Sequence, residues 1–101
     1  MRWLKTVRFR GIQPQLVLAA LRVEEICKTY GVACWITSGS DGRHKAASLH
    51  PKGLALDFRT RDLMEDDKNG FFHDVKDALG IEFDVVLELD HLHVEYDPKV
   101  G

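Results

Sequence analysis

The sequence predicts an α+β domain, a small antiparallel sheet with helices packed on one side. Three observations predict it. Two stretches, from about Pro14 to Tyr30 and from Asn69 to Leu79, repeat apolar residues at helical spacing, and a glycine closes each, Gly31 and Gly80. Four short stretches, 32–37, 53–59, 83–89 and 91–96, are apolar and β-branched or alternate in polarity, as strands do. The order is helix, strand, strand, helix, strand, strand, and the late strands are joined by a hairpin-like link that suits antiparallel pairing.

Taken in order, residues 1–11 mix bulky apolar and basic side chains, a short strand or an arm over the core. Pro14 suits the first turn of a helix. Leu16, Ala20, Val23, Cys27 and Tyr30 then mark its apolar face, with Arg22, Glu24, Glu25 and Lys28 on the other. Residues 32–37 read as a buried strand. The turn formers from Ser38 to Lys45 form a loop, a common place for substrate contacts. In the second strand Leu54, Leu56 and Phe58 point one way, and Ala55, Asp57 and Arg59 the other. Ala55 is small and leaves room beside Asp57. Residues 59–68 are charged and read as a solvated connection. Phe71, Phe72, Val75, Ala78 and Leu79 define the second helix. In the last strand Leu92, Val94 and Tyr96 face the core, while His91, His93 and Glu95 face the other side. Pro98 ends it.

Single-domain organisation over 1–101 follows from length. Such a chain buries a thin core, so a bound metal ion would add noticeably to its stability. Hydrophobic residues at 45% and charged residues at 30% place it among folded globular proteins. A formal net charge of -2 argues against a nucleic-acid binder that relies on a basic surface. Cys27 and Cys34 have neither zinc-pair spacing nor disulfide-framework density, and read as two buried thiols, one on a helix and one on a strand. The apolar run from Leu16 to Leu21 is too short for a signal-peptide core, and nothing approaches the length of a membrane span. The expectation is a monomer made in the cytoplasm without a signal peptide.

The chemistry concentrates in two stretches. Ser48-Leu-His50-Pro-Lys-Gly53-Leu-Ala55-Leu-Asp57 holds a histidine and an aspartate, and Asp90-His91-Leu-His93 holds two histidines after an acid. A catalytic zinc ion takes three nitrogen, sulfur or oxygen donors from protein and keeps a further position for water. His50, Asp57 and His93 make such a set for one zinc ion per chain. Asp57 and His93 both project from the polar sides of strands whose other sides are apolar. Packing those polar sides together would bury unpaired groups, a cost that a metal ion removes.

These stretches resemble the zinc D,D-carboxypeptidase and L-alanyl-D-glutamate peptidase family, which includes phage endolysins and shares its fold with the hedgehog signalling domain. The family pattern is Ser-x-His-x-x-Gly-x-Ala-x-Asp, followed near the C-terminus by Glu or Asp-x-x-His. Here Ser48, His50, Gly53, Ala55 and Asp57 fill the first part, and Asp90 and His93 the second, with His91 matching its His-x-His form. The resemblance implies a hedgehog/DD-peptidase-like fold, with zinc on His50, Asp57 and His93. It makes Asp90 the general base, places His91 near the open metal position, and has Ser48 touching substrate. Arg43 stands a few residues later than the family's substrate-binding arginine. The chain carries Leu92 where many members have Trp, and Asp90 where many have Glu.

The chemistry of the residues agrees. Zinc lowers the pKa of bound water to about 7 and polarises a carbonyl, and a nearby carboxylate can take the water's proton and hand it to the leaving amine. On a regular strand Asp90 would face away from His93, so its role requires a bend. Glu88 is the fallback base, because Glu88-x-x-His91 repeats the spacing. Arg43 or His44 could stabilise an oxyanion or hold a substrate carboxylate. The implied function is a zinc-dependent peptidoglycan peptidase, a phage or prophage lytic protein released to the cell wall by a holin-like route. The competing expectation is a zinc-containing binding or virion module of the same fold. A His-metal nuclease needs a further asparagine and histidine downstream, and the eight residues after His93 contain neither.

Overall fold

The computed structural model describes residues 1–41 and 49–98. The predicted α+β class holds, and the sheet is five-stranded and mixed. In chain order the elements are β1 (Arg2–Trp3), α1 (Pro14–Thr29), β2 (Trp35–Ser38), β3 (Ala55–Arg59), α2 (Lys68–Leu79), β4 (Phe83–Leu87) and β5 (His91–Tyr96). The strands lie in the order β1-β2-β3-β5-β4. All neighbours pair antiparallel except β1 and β2, which are parallel, so the expectation of a purely antiparallel sheet is corrected at that edge. β1 is two residues long, and its strand character comes from pairing with the distant β2 rather than from its own pattern. The N-terminal amine pairs with Glu24 on α1, which holds this arm down.

Pro14 opens α1 as predicted, and Leu16, Ala19, Ala20, Val23 and Cys27 form its buried stripe. Tyr30 caps the helix, and its hydroxyl donates to the Asp74 carboxylate of α2 at 2.6 Å. Phe71 and Val75 are the buried residues of α2. They join the stripe of α1 and the apolar sheet residues Ile36, Leu56, Phe58, Val85, Leu92 and Val94 in one core. Alternation along the strands sends the intervening residues to the opposite face.

Three smaller expectations are corrected. The strand predicted over 32–37 begins at Trp35, so Cys34 lies just ahead of it, still buried. Burial and the hydrogen bond between the two thiols are both felt at Cys34: the Cys27 contact, then burial, push its thiol up. The connection over 59–68 is not simply solvated. Thr60 and Leu63 are buried, a turn closes between the Leu63 amide and the Thr60 carbonyl at 3.0 Å, and Glu65–Asp67 form a 3-10 turn. The strand predicted over 83–89 ends at Leu87, and Glu88, Leu89 and Asp90 form the β4–β5 turn, closed by the Glu88 amide on the His91 carbonyl at 2.8 Å. That turn is the bend that a role for Asp90 requires.

Candidate metal centre

The polar face of the sheet carries the candidate site. In the β3–β5 register, Asp57 stands directly opposite His93, Ala55 opposite Glu95 and Arg59 opposite His91. Directly opposed side chains on one face lie within contact distance, and His93 Nδ1 reaches Asp57 Oδ1 at 2.8 Å. His50 arrives from outside the sheet. It begins a 3-10 turn, His50–Lys52, that ends at Gly53 with φ 72°. A Cβ at Gly53 would overlap the Gly11 carbonyl, so this position needs glycine both for its left-handed backbone and for its close approach to the N-terminal arm. The turn is tied down further by the Gln13 amide on the Gly53 carbonyl at 3.0 Å.

The three predicted ligands meet. His50 is 1% exposed and Asp57 3% exposed, and His93 is half-buried beside them. One donor atom from each lies within 4.8 Å of the other two, so the group could hold a metal ion. His50 Nε2 is 3.3 Å from Asp57 Oδ1. Donors about 2.0–2.1 Å from a tetrahedral zinc ion stand about 3.3–3.4 Å apart, so this edge already has the right length.

The ring nitrogens are assigned by their partners. His50 Nδ1–H donates to the Gly39 carbonyl at 2.8 Å, which leaves Nε2 as the atom facing Asp57. The Gly39 loop is itself clamped, because Asp41 Oδ1 accepts both the Gly39 and Arg8 amides at 2.9 Å. His93 Nε2–H donates to Glu95 Oε1 at 2.7 Å, which directs Nδ1 to Asp57. Glu95 stands opposite Ala55 in the β3–β5 register. Glu95 is not among the site residues expected from sequence; the signal that could have found it is its position two residues past a ligand, on the same face of an alternating strand.

The electrostatics follow from this wiring. Burial alone would raise the Asp57 carboxyl, but the neighbouring imidazoles, His50 first and then His93, outweigh it and hold the carboxyl well below the usual carboxylate range. Asp57 is therefore an anion across the physiological range. His93 is pushed up to about 8, first by its bond to Asp57, against burial, with Glu95 adding to the rise. Without metal, a proton on Nδ1 bridges His93 and Asp57; a metal ion takes the place of that proton.

Asp90 and His91 sit at the same place. Asp90 Oδ1 accepts from His91 Nδ1–H at 2.6 Å, and His91 Nε2 is 3.7 Å from Asp57 Oδ2. Asp90 thus reaches the ligand group through His91. Both line a cleft of about 410 Å³ that opens onto Asp57, walled by Leu4, Thr37 and Ser38 and by Arg59 and Arg61. Glu88, the fallback base, lines a different hollow with Glu65, Lys68 and Asn69. Arg43, His44 and Ser48 lie outside the described residues. A second compact group, Asp84, Glu95 and Asp97, offers carboxylates alone and is more exposed.

Among the described residues, no helix is long and apolar enough to cross a membrane. Compared with protein-family models, with curated proteins and with solved structures, the chain finds no match.

Proposed function

We propose that this chain is a zinc metallopeptidase that hydrolyses a peptide bond in the stem peptides of bacterial peptidoglycan, of the L-Ala–D-Glu endopeptidase or D,D-carboxypeptidase type. The observation that carries the reading is the meeting of His50, Asp57 and His93 around one point, with a histidine–carboxylate pair lining the cleft that opens onto Asp57. Two imidazole nitrogens and one carboxylate oxygen are the donor set of hydrolytic zinc sites. The resemblance of the two motifs to the zinc peptidase family supports the substrate class and a phage or prophage lytic role, with release to the cell wall by a holin-like route.

A zinc ion held there would polarise the scissile carbonyl and make its water acidic near neutral pH. The chain's own residues do the rest. Gly39 and Glu95 fix the two imidazole tautomers, so His50 Nε2 and His93 Nδ1 are presented as lone pairs. Asp57 contributes the anionic oxygen. His91 Nε2 faces Asp57 across the cleft, with Asp90 holding its other nitrogen. This pair handles the proton: it accepts it from the attacking water and returns it to the leaving amine, with Asp90 as the carboxylate that balances the charge.

A second reading has one observation in its favour. The Asp90 side chain is largely exposed and engaged with His91 rather than aimed at the ligand group, which suits a zinc-containing binding or virion module equally. Zymography on purified cell walls, followed by mass analysis of the released muropeptides, separates the two. Clearing by wild type and not by Asp90→Ala supports the peptidase with Asp90 in the proton-handling pair. Equal clearing by both removes Asp90 from that role. No clearing by a zinc-loaded wild type supports the binding module.

A further inference from the structure

We propose that the cleft beside the ligand group holds its substrate by a carboxylate, with Arg61 as the anchor and Arg59 as the residue that positions it; this rests on the peptidase reading above. The argument is one of charge pairing. Asp57 is bonded to His93 and lies 3.3 Å from His50 Nε2, and Asp90 is bonded to His91. Asp62 is taken up by Arg59, which places both Nε and Nη2 on Asp62 Oδ2, at 2.8 and 2.7 Å. Each carboxylate of the cleft and its wall therefore has a cationic or imidazole partner. Arg61 also lines the cleft, is exposed, and makes no ion pair among the described residues. Arg61 is thus the cation of the cleft that has no ion-pair partner among the described residues, and its planar fork suits a carboxylate.

The local structure explains why Arg61 stands there. β3 ends at Arg59, whose guanidinium carbon lies 4.6 Å from the centre of the Trp35 ring. Buried Thr60 anchors the next residue, and the Leu63 amide closes the turn on the Thr60 carbonyl at 3.0 Å. The Arg59–Asp62 pair straps the same turn from the side. Arg61 is the one residue of Thr60–Leu63 left to project, and it does so over the cleft that Asp57 and His91 share. A stem peptide offers two carboxylates near a cleavable bond: the C-terminal one of D-Ala-D-Ala, and the α-carboxylate of a γ-linked D-Glu. Both are the same chemistry to a guanidinium.

The test uses wild type, Arg61→Gln and Arg61→Lys. Zinc uptake is first measured by mass spectrometry. Binding is then measured by calorimetry on zinc-loaded and on chelator-stripped protein, with two peptide pairs whose scissile amide is reduced to CH2–NH so that neither is cut. One pair is Lys-D-Ala-D-Ala as acid and as C-terminal amide; the other is L-Ala-γ-D-Glu-Lys with its α-carboxylate free and amidated. Wild type should prefer the acid of one pair by about tenfold in both metal states, as one charge-assisted contact gives. Arg61→Gln should abolish that preference, and Arg61→Lys should keep part of it. The pair that shows the preference identifies which carboxylate is held. Preference retained in Arg61→Gln, or absent from wild type in both pairs, overturns the anchor. Failure to take up zinc, with acid preference intact in stripped protein, overturns the metallopeptidase reading while upholding the anchor.

Discussion

Asp57→Asn is the substitution whose consequences the structure specifies most fully. Asparagine keeps the volume of a side chain that is 3% exposed, so the packing around it is preserved, but removes the charge that joins His50 and His93. Zinc sites bind their ion with about 10–16 kcal/mol; shared over four coordination positions, one donor is worth about 2.5–4 kcal/mol, or about 10²–10³-fold in affinity. Competition against a chromophoric chelator should show a loss of that size. A second reading comes from the metal-free protein. The Asp57 bond is the largest cause of the rise of His93 to about 8, so NMR titration of the variant should find His93 shifted back toward the ordinary imidazole value of about 6.5. Zinc affinity within threefold of wild type, in a variant whose circular dichroism is unchanged, would refute the reasoning.

Further outcomes follow from the same geometry. Glu95→Gln should weaken zinc binding by about 10- to 100-fold, as loss of an outer-shell carboxylate does; an affinity equal to wild type would mean that the His93 Nε2 bond does not direct its ring. Gly53→Ala should destabilise the fold by about 3 kcal/mol or more in chemical denaturation, because strain and overlap with the Gly11 carbonyl combine, whereas Gly11→Ala, with positive φ but open space, should cost about 1 kcal/mol. In the metal-free protein, the raised pKa of His93 gives stability that is complete below about pH 6.5 and disappears as pH rises through about 8, at most about 2 kcal/mol. By the same sign, zinc binding should take about one proton from the His93 ring at pH 7 and almost none at pH 9, which NMR of that ring in metal-free and zinc-loaded protein reads directly. Equal release at both values contradicts the assignment of His93 as a protonated ligand-in-waiting.

What was legible in the sequence was what local pattern encodes. The alternation from His91 to Tyr96 locates β5 to the residue and puts His93 on the polar face, because period-two patterning and burial on one side leave no other register. Asp57 followed for the same reason from β3. The helices were legible from their stripes and from the residues that start and stop them. What was not legible depends on contacts far away in the chain. β1, left open by its own sequence between a short strand and an arm, is a strand through pairing with β2, where the Cys34 and Ile36 carbonyls accept the Arg2 and Leu4 amides. Thr60 and Leu63 are buried inside a segment whose composition reads as solvated, in a turn that the Leu63 amide closes on the Thr60 carbonyl. The requirement for glycine at position 53 is set by Gly11, and the choice of ring nitrogen on His50 by the carbonyl of Gly39. Alternation places Glu95 beside His93 but cannot say which nitrogen it takes.

The most direct measurement is a crystal structure of the zinc-loaded protein with data collected across the zinc absorption edge. One anomalous peak per chain is expected, about 2.0–2.2 Å from His50 Nε2, from an Asp57 carboxylate oxygen and from His93 Nδ1, with Glu95 still on His93 Nε2 and Asp90 on His91. A peak at Asp84, Glu95 and Asp97 instead, or none within reach of His50, would contradict the account.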